Sequence, residues 1–264
     1  MIFNFKKSKI TVDCFTSDIS IYKFYKVRKA VSFYPDDIRK LPLDLTTVDQ
    51  RSNIEYQIPT LKRCSGIIEH YKHGAIIPLW MDFICSPQTY AAGKSAIGAA
   101  DPAYAEGFSQ HPPEQWTGMF KDFHQVKFLN PWRFRDKSGI KYAWGPAFYN
   151  LHEHIDNFVV PPGMMWWDFQ DQANINVFVR KKAEKFSIVA GTPMIHFIPL
   201  TEREVEYKCH FVDPMEMEKL AIIPRSFPTM SAGSRNNKFF KARAEAERMD
   251  ALEKKGKCPF GFGK

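Results

Sequence analysis

Apolar and polar positions alternate in short runs along much of this chain, and turn residues separate the runs. The stretch FVVPPGMMWWDFQDQANINVFVRKKAEKFSIVAGTPMIHFIPL, from Phe158 to Leu200, shows the pattern most fully. It reads as strand, tight turn and strand, repeated. The runs are NFVV, MMWWDF, INVFVR, KFSIVA and MIHFIPL, each bounded by Pro, Gly, Asp, Asn or Lys. A two-residue period sends successive side chains to opposite faces of a strand, so each run suits a half-buried sheet. KITVDCF (Lys9–Phe15) alternates in the same way and is rich in β-branched residues. VKFLNPWRFR (Val126–Arg135) and IKYAWGPAF (Ile140–Phe148) flank DKSG, which predicts a hairpin. AIIPLWMDFICSP (Ala75–Pro87) predicts one strand, with Pro78 at an edge or bulge because proline has no N–H for a central ladder.

Helical signals are fewer. YPDDIRKLP (Tyr34–Pro42) predicts one short turn of helix, opened by Pro35 and stopped by Pro42. TLKRCSGIIEHYKHG (Thr60–Gly74) predicts a helix with Thr60 as N-cap and Gly74 just past its end, although Gly66 weakens it. PMEMEKLA after Asp213 predicts another, and NKFFKARAEAERMDALEKKG (Asn237–Gly256) predicts a solvated helix of strong formers. Residues 88–118 have no sustained period and are rich in Ala and Gly. This excursion is too long for a plain connection, and it suits a cover or a partner contact. The fold class expected is mainly β, a sandwich or barrel with short helices and a helical C-terminal extension. Residues 1–213 form the β-rich domain and residues 214–264 the extension.

Composition sharpens this picture. At 264 residues the chain can bury a sizeable core. An aromatic content of 15% with 18 prolines favours many short strands over long helices. No apolar run approaches the ~20 residues of a membrane span, and MIFNFKKSKITVDCF lacks the apolar centre of a signal peptide. A protein made in the cytoplasm, with no membrane association, is expected. Cys14, Cys64, Cys85, Cys209 and Cys258 are scattered and form no CxxC pair, so free and mostly buried thiols are expected. The net charge is +8, of which Ser231–Lys264 carries nine Lys/Arg against four Asp/Glu. Nucleic acid would therefore be engaged only through the basic tail 231–264, in a salt-sensitive way.

TLKRCSGIIEHYKHGAIIPLWMDF and VKFLNPWRFRDKSGIKYAWGP resemble a family of uncharacterised proteins encoded by tailed bacteriophages, many of them marine. YPDDIRKLP, KRCSGI, IPLWMD and GTPMIHFIPLTERE carry the same resemblance, which spans roughly Tyr34 to Arg203. It implies a β-rich phage protein located in the host cytoplasm and, where it is packaged, in the virion. A second likeness is one of layout. Gly163, Asp168, Phe186, Ile188, Gly191 and Ile195 are placed as in the closing half of dUTPase-like β-clip proteins. There Gly191 would turn with positive φ and Ile188 and Ile195 would point into one core. The ring that faces the base and the water-activating Asp of that family have no clear equivalents, since Trp166 and Trp167 stand in that region.

Candidate chemistry is sparse. Trp166 and Trp167 would lie on opposite faces of a strand, one in the core and one as a platform for a sugar, base or protein. Trp80 and Asp82 sit in an apolar strand, where Asp82 is either a buried functional carboxylate or a cap on a backbone amide. His154, Asp156 and His196 could imitate the two-histidine, one-carboxylate triad that holds Fe(II) beside 2-oxoglutarate, with Arg203 pairing the oxo-acid. The commoner reading of His154 and His196 is a satisfied polar residue. A zinc pair from His152 and His154 lacks a third partner at useful spacing. His70 and His73 lie with Lys72 at a helix end, where cations suit the dipole. Phosphate loops, GxSxG elbows and Cys–His nucleophile patterns are absent from the sequence.

The function these readings favour is non-catalytic: a protein that binds or assembles with protein partners, other virion proteins or its own copies. The rival is an enzyme of the infected cell, either an Fe(II)/2-oxo-acid oxygenase or a nucleotide-processing β-clip relative.

Overall fold

A computed structural model of the chain describes residues 9–86, 97–99, 107–110, 118, 120–167 and 171–220. The chain divides into two units, Met1–Ile222 and Ile223–Lys264, and every described residue lies in the first. The helix expected over Asn237–Gly256 and the basic tail lie outside the described residues, as does most of the 88–118 excursion.

The fold is mainly β with short helices, as the alternating runs predict. Strand β1 (Ile10–Thr16) buries every second residue and forms the centre of a three-stranded sheet. It runs parallel to β17 (Val205–Phe211) and antiparallel to β10 (Arg133–Arg135). The largest sheet is antiparallel and five-stranded. Its order is β13 (Gly163–Met165), β11 (Tyr142–Pro146), β16 (Pro193–Pro199), β5 (Ala75–Pro78) and β2 (Arg28–Lys29). A third sheet orders β12 (Phe158–Val159), β14 (Ile175–Arg180), β9 (Phe123–Phe128) and β8 (Phe108–Gln110). A fourth orders β15 (Phe186–Ile188), β6 (Phe83–Cys85) and β7 (Ile97–Ala99). The described parts of the excursion thus add an edge strand to each of two sheets.

One apolar core is shared by these four sheets. Val12, Phe83, Phe128, Val177 and Phe197 all belong to it, and none is more than 1% exposed. Burial of such a side chain contributes roughly 1.5–3 kcal/mol, so the core holds the sheets in place. A smaller cluster of Phe33, Ile38, Ile67, Tyr71 and Ile76 seats α2 (Asp36–Lys40) and α3 (Ser65–Lys72) against β5. Among the described residues the other α-helices are α1 (Ile19–Phe24), capped by Asp18, and α4 (Pro214–Lys219), capped by Asp213. The carboxylate of each cap accepts two backbone N–H groups of the first turn.

Three expectations need correction. The hairpin about DKSG does not form, although its turn does. Asp136 accepts the Ser138 N–H at 2.7 Å and Gly139 takes φ +68°, but β10 then pairs with β1 and β11 with β16. Local turn chemistry is satisfied while the flanking strands go to different sheets. The single helix over Thr60–Gly74 is a 3-10 turn, Leu61–Arg63, and then α3, because Cys64 between them has extended backbone. Thr60 does cap, accepting the Lys62 N–H at 3.3 Å. The single strand over Ala75–Pro87 is two strands in two sheets, β5 and β6. The irregularity expected at Pro78 is present, as a register shift in β16 between Pro193 and Ile195.

Two glycines are required by geometry. Gly74 has φ +77°, and a Cβ there would lie 2.2 Å from the Phe197 carbonyl oxygen. Gly191 has φ +90°, and its N–H donates to the Leu79 carbonyl at 2.7 Å. The turn it makes lets Ile188 and Ile195 enter the same core, as the sequence layout predicts.

Candidate functional site

The residues singled out by sequence fall into different environments. Trp80 and Trp167 are 2% and 1% exposed, so both rings belong to the core and neither offers a platform. Trp166 is half-buried, and the Lys141 ammonium sits over its ring at 5.0 Å. Asp82 is exposed, and its Oδ1 accepts the Ala190 N–H at 2.7 Å. It ties the turn before Gly191 to β6, which is the capping alternative. Asp82→Ala is expected to lower the urea-unfolding free energy by about 1 kcal/mol, the worth of one hydrogen bond. No change at all would show that the turn is held without it.

The triad of His154, Asp156 and His196 is not assembled. His154 stacks on Phe158 with ring centroids 5.9 Å apart, Asp156 is exposed, and His196 is 3% exposed within β16. Among the described residues no group of three or more His, Cys, Asp or Glu could hold a metal ion. Asp168 of the β-clip layout lies outside the described residues. Of the thiols, Cys14 and Cys85 are buried, Cys209 is half-buried and Cys64 is exposed. Burial pushes the Cys85 thiol up to about 12, so it is inert at neutral pH.

Two features emerge that sequence reasoning did not single out. The first joins His70 to His196. His196 Nε2 lies 2.8 Å from the His73 carbonyl oxygen, and its Nδ1 lies 3.0 Å from His70 Nε2. Tyr71 stacks on His196 at 5.9 Å and donates its hydroxyl to Asn150 Oδ1 at 2.6 Å. Asn150 in turn donates to the Phe33 carbonyl at 3.0 Å. Burial lowers the His196 pKa to about 4, opposed by the His73 carbonyl and aided by His70, and burial also lowers that of His70. Both rings are therefore neutral at pH 7. An open cleft of about 450 Å³ lies beside the pair, lined by Gly66 and His70 of α3 and by Ala143 and Gly145 of β11.

The second feature is a hairpin. Among the described residues β3 (Asp44–Val48) and β4 (Glu55–Pro59) pair only with each other, as a two-stranded sheet. Leu45 faces Ile58 and Thr47 faces Tyr56, so these four share one side of the ribbon. Leu43 and Ile54 continue the same two-residue period. Leu43, Leu45, Ile54, Tyr56 and Ile58 are 40–63% exposed. The other side carries Asp44, Thr46, Gln57 and Glu55, with Val48 and Pro59 among them. The ribbon is amphipathic, and its apolar side faces water.

The hairpin is nonetheless well built. Asp49 Oδ1 accepts the N–H groups of Arg51 at 2.7 Å and Ser52 at 2.9 Å, and Asn53 takes φ +56° to close the turn. At the base Thr60 donates its hydroxyl to the Pro42 carbonyl at 2.6 Å, and Arg63 pairs with Asp44 at 2.7 Å.

Comparison with family models, curated proteins and solved structures finds no match to the chain. The resemblances drawn from sequence thus rest on the residues that carry them, and the function is argued from the two features above. Among the described residues no helix is long and apolar enough to cross a membrane.

Proposed function

We propose that this chain is a non-catalytic binding and assembly protein that engages a protein partner through the β3–β4 hairpin. The observation that carries the reading is the apolar face of that hairpin. A two-stranded ribbon is marginal in water without a third strand or a packed face. Among the described residues both outer edges are unpaired and the apolar side lacks cover, while the turn and base hold the ribbon in shape. An arm of this kind gains stability when a partner covers the face or extends the sheet. No charged side chain stands among Leu43, Leu45, Thr47, Ile54, Tyr56 and Ile58, so burial in a protein contact strands no charge. The resemblance to tailed-phage proteins supports a virion or an assembly intermediate as the setting. The Fe(II)/2-oxo-acid oxygenase alternative has less support, since among the described residues its ligands do not meet.

The test compares phage particles made with the wild-type chain and with a Leu45→Glu/Ile58→Lys variant, whose opposite charges face each other across the ladder, with copy number read by mass spectrometry against the major capsid protein. The wild-type chain is expected in particles, and the variant is expected to be depleted at least about tenfold, the effect of ~1.4 kcal/mol. Both substitutions fall on exposed positions, so the variant's urea midpoint should stay unchanged. Equal incorporation of the variant would overturn the role of the arm. Absence of the wild-type chain from particles would overturn the virion setting.

A further inference from the structure

The cleft beside His70 and His196 is built from residues whose arrangement sets its chemistry. A carbonyl oxygen only accepts hydrogen bonds, so the contact with the His73 carbonyl requires a proton on His196 Nε2. In the neutral ring Nδ1 then holds a lone pair, and it accepts from His70 Nε2–H. That donation places the remaining lone pair of the neutral His70 ring on Nδ1. Among the described residues no hydrogen bond reaches that atom, and His70 lines the cleft. The backbone carbonyl of His73 thus fixes, through two rings, an acceptor on His70, a residue of the cleft wall.

The space itself comes from sequence. Gly145 on β11 is the register partner of His196 on β16, and directly paired residues share a face. A side chain at 145 would stand beside the His196 ring, and a Cβ built there meets no atom within 4 Å. The missing side chain is the opening. Phe148 and Tyr149 supply aromatic and apolar surface around it, and no Asp, Glu, Lys or Arg lines it. A charged ligand would be desolvated there without a counter-charge, whereas a flat neutral ring would gain from the aromatic walls.

We propose that this cleft binds a small, uncharged aromatic molecule that donates one O–H or N–H hydrogen bond to His70 Nδ1. Such a site lies beyond the assembly role of the hairpin and shares no residue with it.

Phenol and anisole separate the parts of the proposal, since they have similar rings and only phenol can donate. Saturation-transfer NMR titrations of the full chain are expected to give saturable binding of phenol, with anisole weaker by about tenfold, the worth of one hydrogen bond. Gly145→Leu, which fills the opening, is expected to abolish phenol binding. His70→Phe is expected to bring phenol to the level of anisole. Urea midpoints of both variants report that they are folded, and the phenol–anisole comparison on the wild-type chain needs no variant. Equal binding of the two probes to the wild-type chain, no saturable binding of phenol, or phenol binding that survives Gly145→Leu would each overturn the proposal.

Discussion

Trp167→Ala is expected to destabilise the fold by about 4 kcal/mol, within the range for removing a large buried ring. Trp167 stacks on Phe134 of β10 with centroids 4.4 Å apart and planes at 22°. It also meets Tyr142 at 5.6 Å and Trp144 at 6.4 Å, both on β11, and Phe197 of β16 at 6.0 Å. The indole therefore joins the β1-centred sheet to the five-stranded sheet. Truncation to alanine leaves a void between two sheets whose strands are held by their ladders and cannot close over it. Trp167→Phe keeps most of the ring contacts and is expected to cost under about 1.5 kcal/mol. Trp166→Ala removes a half-buried ring under a lysine and is expected to cost about 1 kcal/mol. Urea unfolding of the three variants checks the order. A Trp166→Ala cost equal to that of Trp167→Ala would mean that the two rings share the core.

Much of the sheet content was legible because it is written in local alternation. The run at Lys9–Phe15 places its apolar side chains on the face that becomes buried, and those at Ile175–Arg180 and Met194–Leu200 form strands that bury residues of both faces. The Gly191 turn and the helix after Asp213 were legible for the same reason, since each depends on residues within a few positions. What failed was pairing. DKSG has the chemistry of a turn, but the partners of β10 and β11 are chosen by long-range packing that no turn residue encodes. The parallel ladder of β1 with β17 joins the two ends of the described domain, and its distance along the chain hides it from local reading.

The sites were less legible than the sheets, for two different reasons. The hairpin signal was present: Leu43, Leu45 and Thr47 alternate on one side of the Asp49–Asn53 turn, and Ile54, Tyr56 and Ile58 on the other. Its exposure was not readable, because an alternating run looks the same whether or not its apolar face finds a core. The histidine pair had no usable local signal. His70 sits near a helix end, which suggests a cation facing solvent. Its partner His196 lies 126 residues away, and only the approach of α3 to β16 brings the rings together and makes both neutral. Gly145 had meaning only as the residue opposite His196.

Acidification from pH 7.5 to 5.0 is expected to destabilise the wild-type fold by about 2 kcal/mol through His196 alone, rising to about 3 kcal/mol near pH 4. The folded-state pKa of about 4 lies below the ordinary histidine value of 6.5, with burial as the main cause. Between those two values the unfolded chain carries a proton on this residue and the folded chain does not. Stability therefore rises with pH across this window, is complete above about 6.5, and is lost as pH falls towards 4. The lowered pKa of His70, with burial as its cause, acts in the same direction. Stopping at pH 5.0 keeps most carboxylates ionised, so the measured loss belongs to histidines. The groups around the His196 ring are His70, Tyr71 and the His73 carbonyl, and none is a carboxylate that would favour its cation. In His196→Gln the amide N–H can donate to the His73 carbonyl and the amide oxygen can accept from His70, so the hydrogen bonds persist while the titration does not. Urea unfolding at both pH values should show a shallower loss for this variant, by about the same 2 kcal/mol. Superposed profiles would mean that folded His196 takes a proton as readily as the unfolded chain. A cationic His196 would donate from both nitrogens, so its bond to the His73 carbonyl would persist, its bond to His70 Nε2 would reverse, and neutral His70 would then carry its proton on Nδ1.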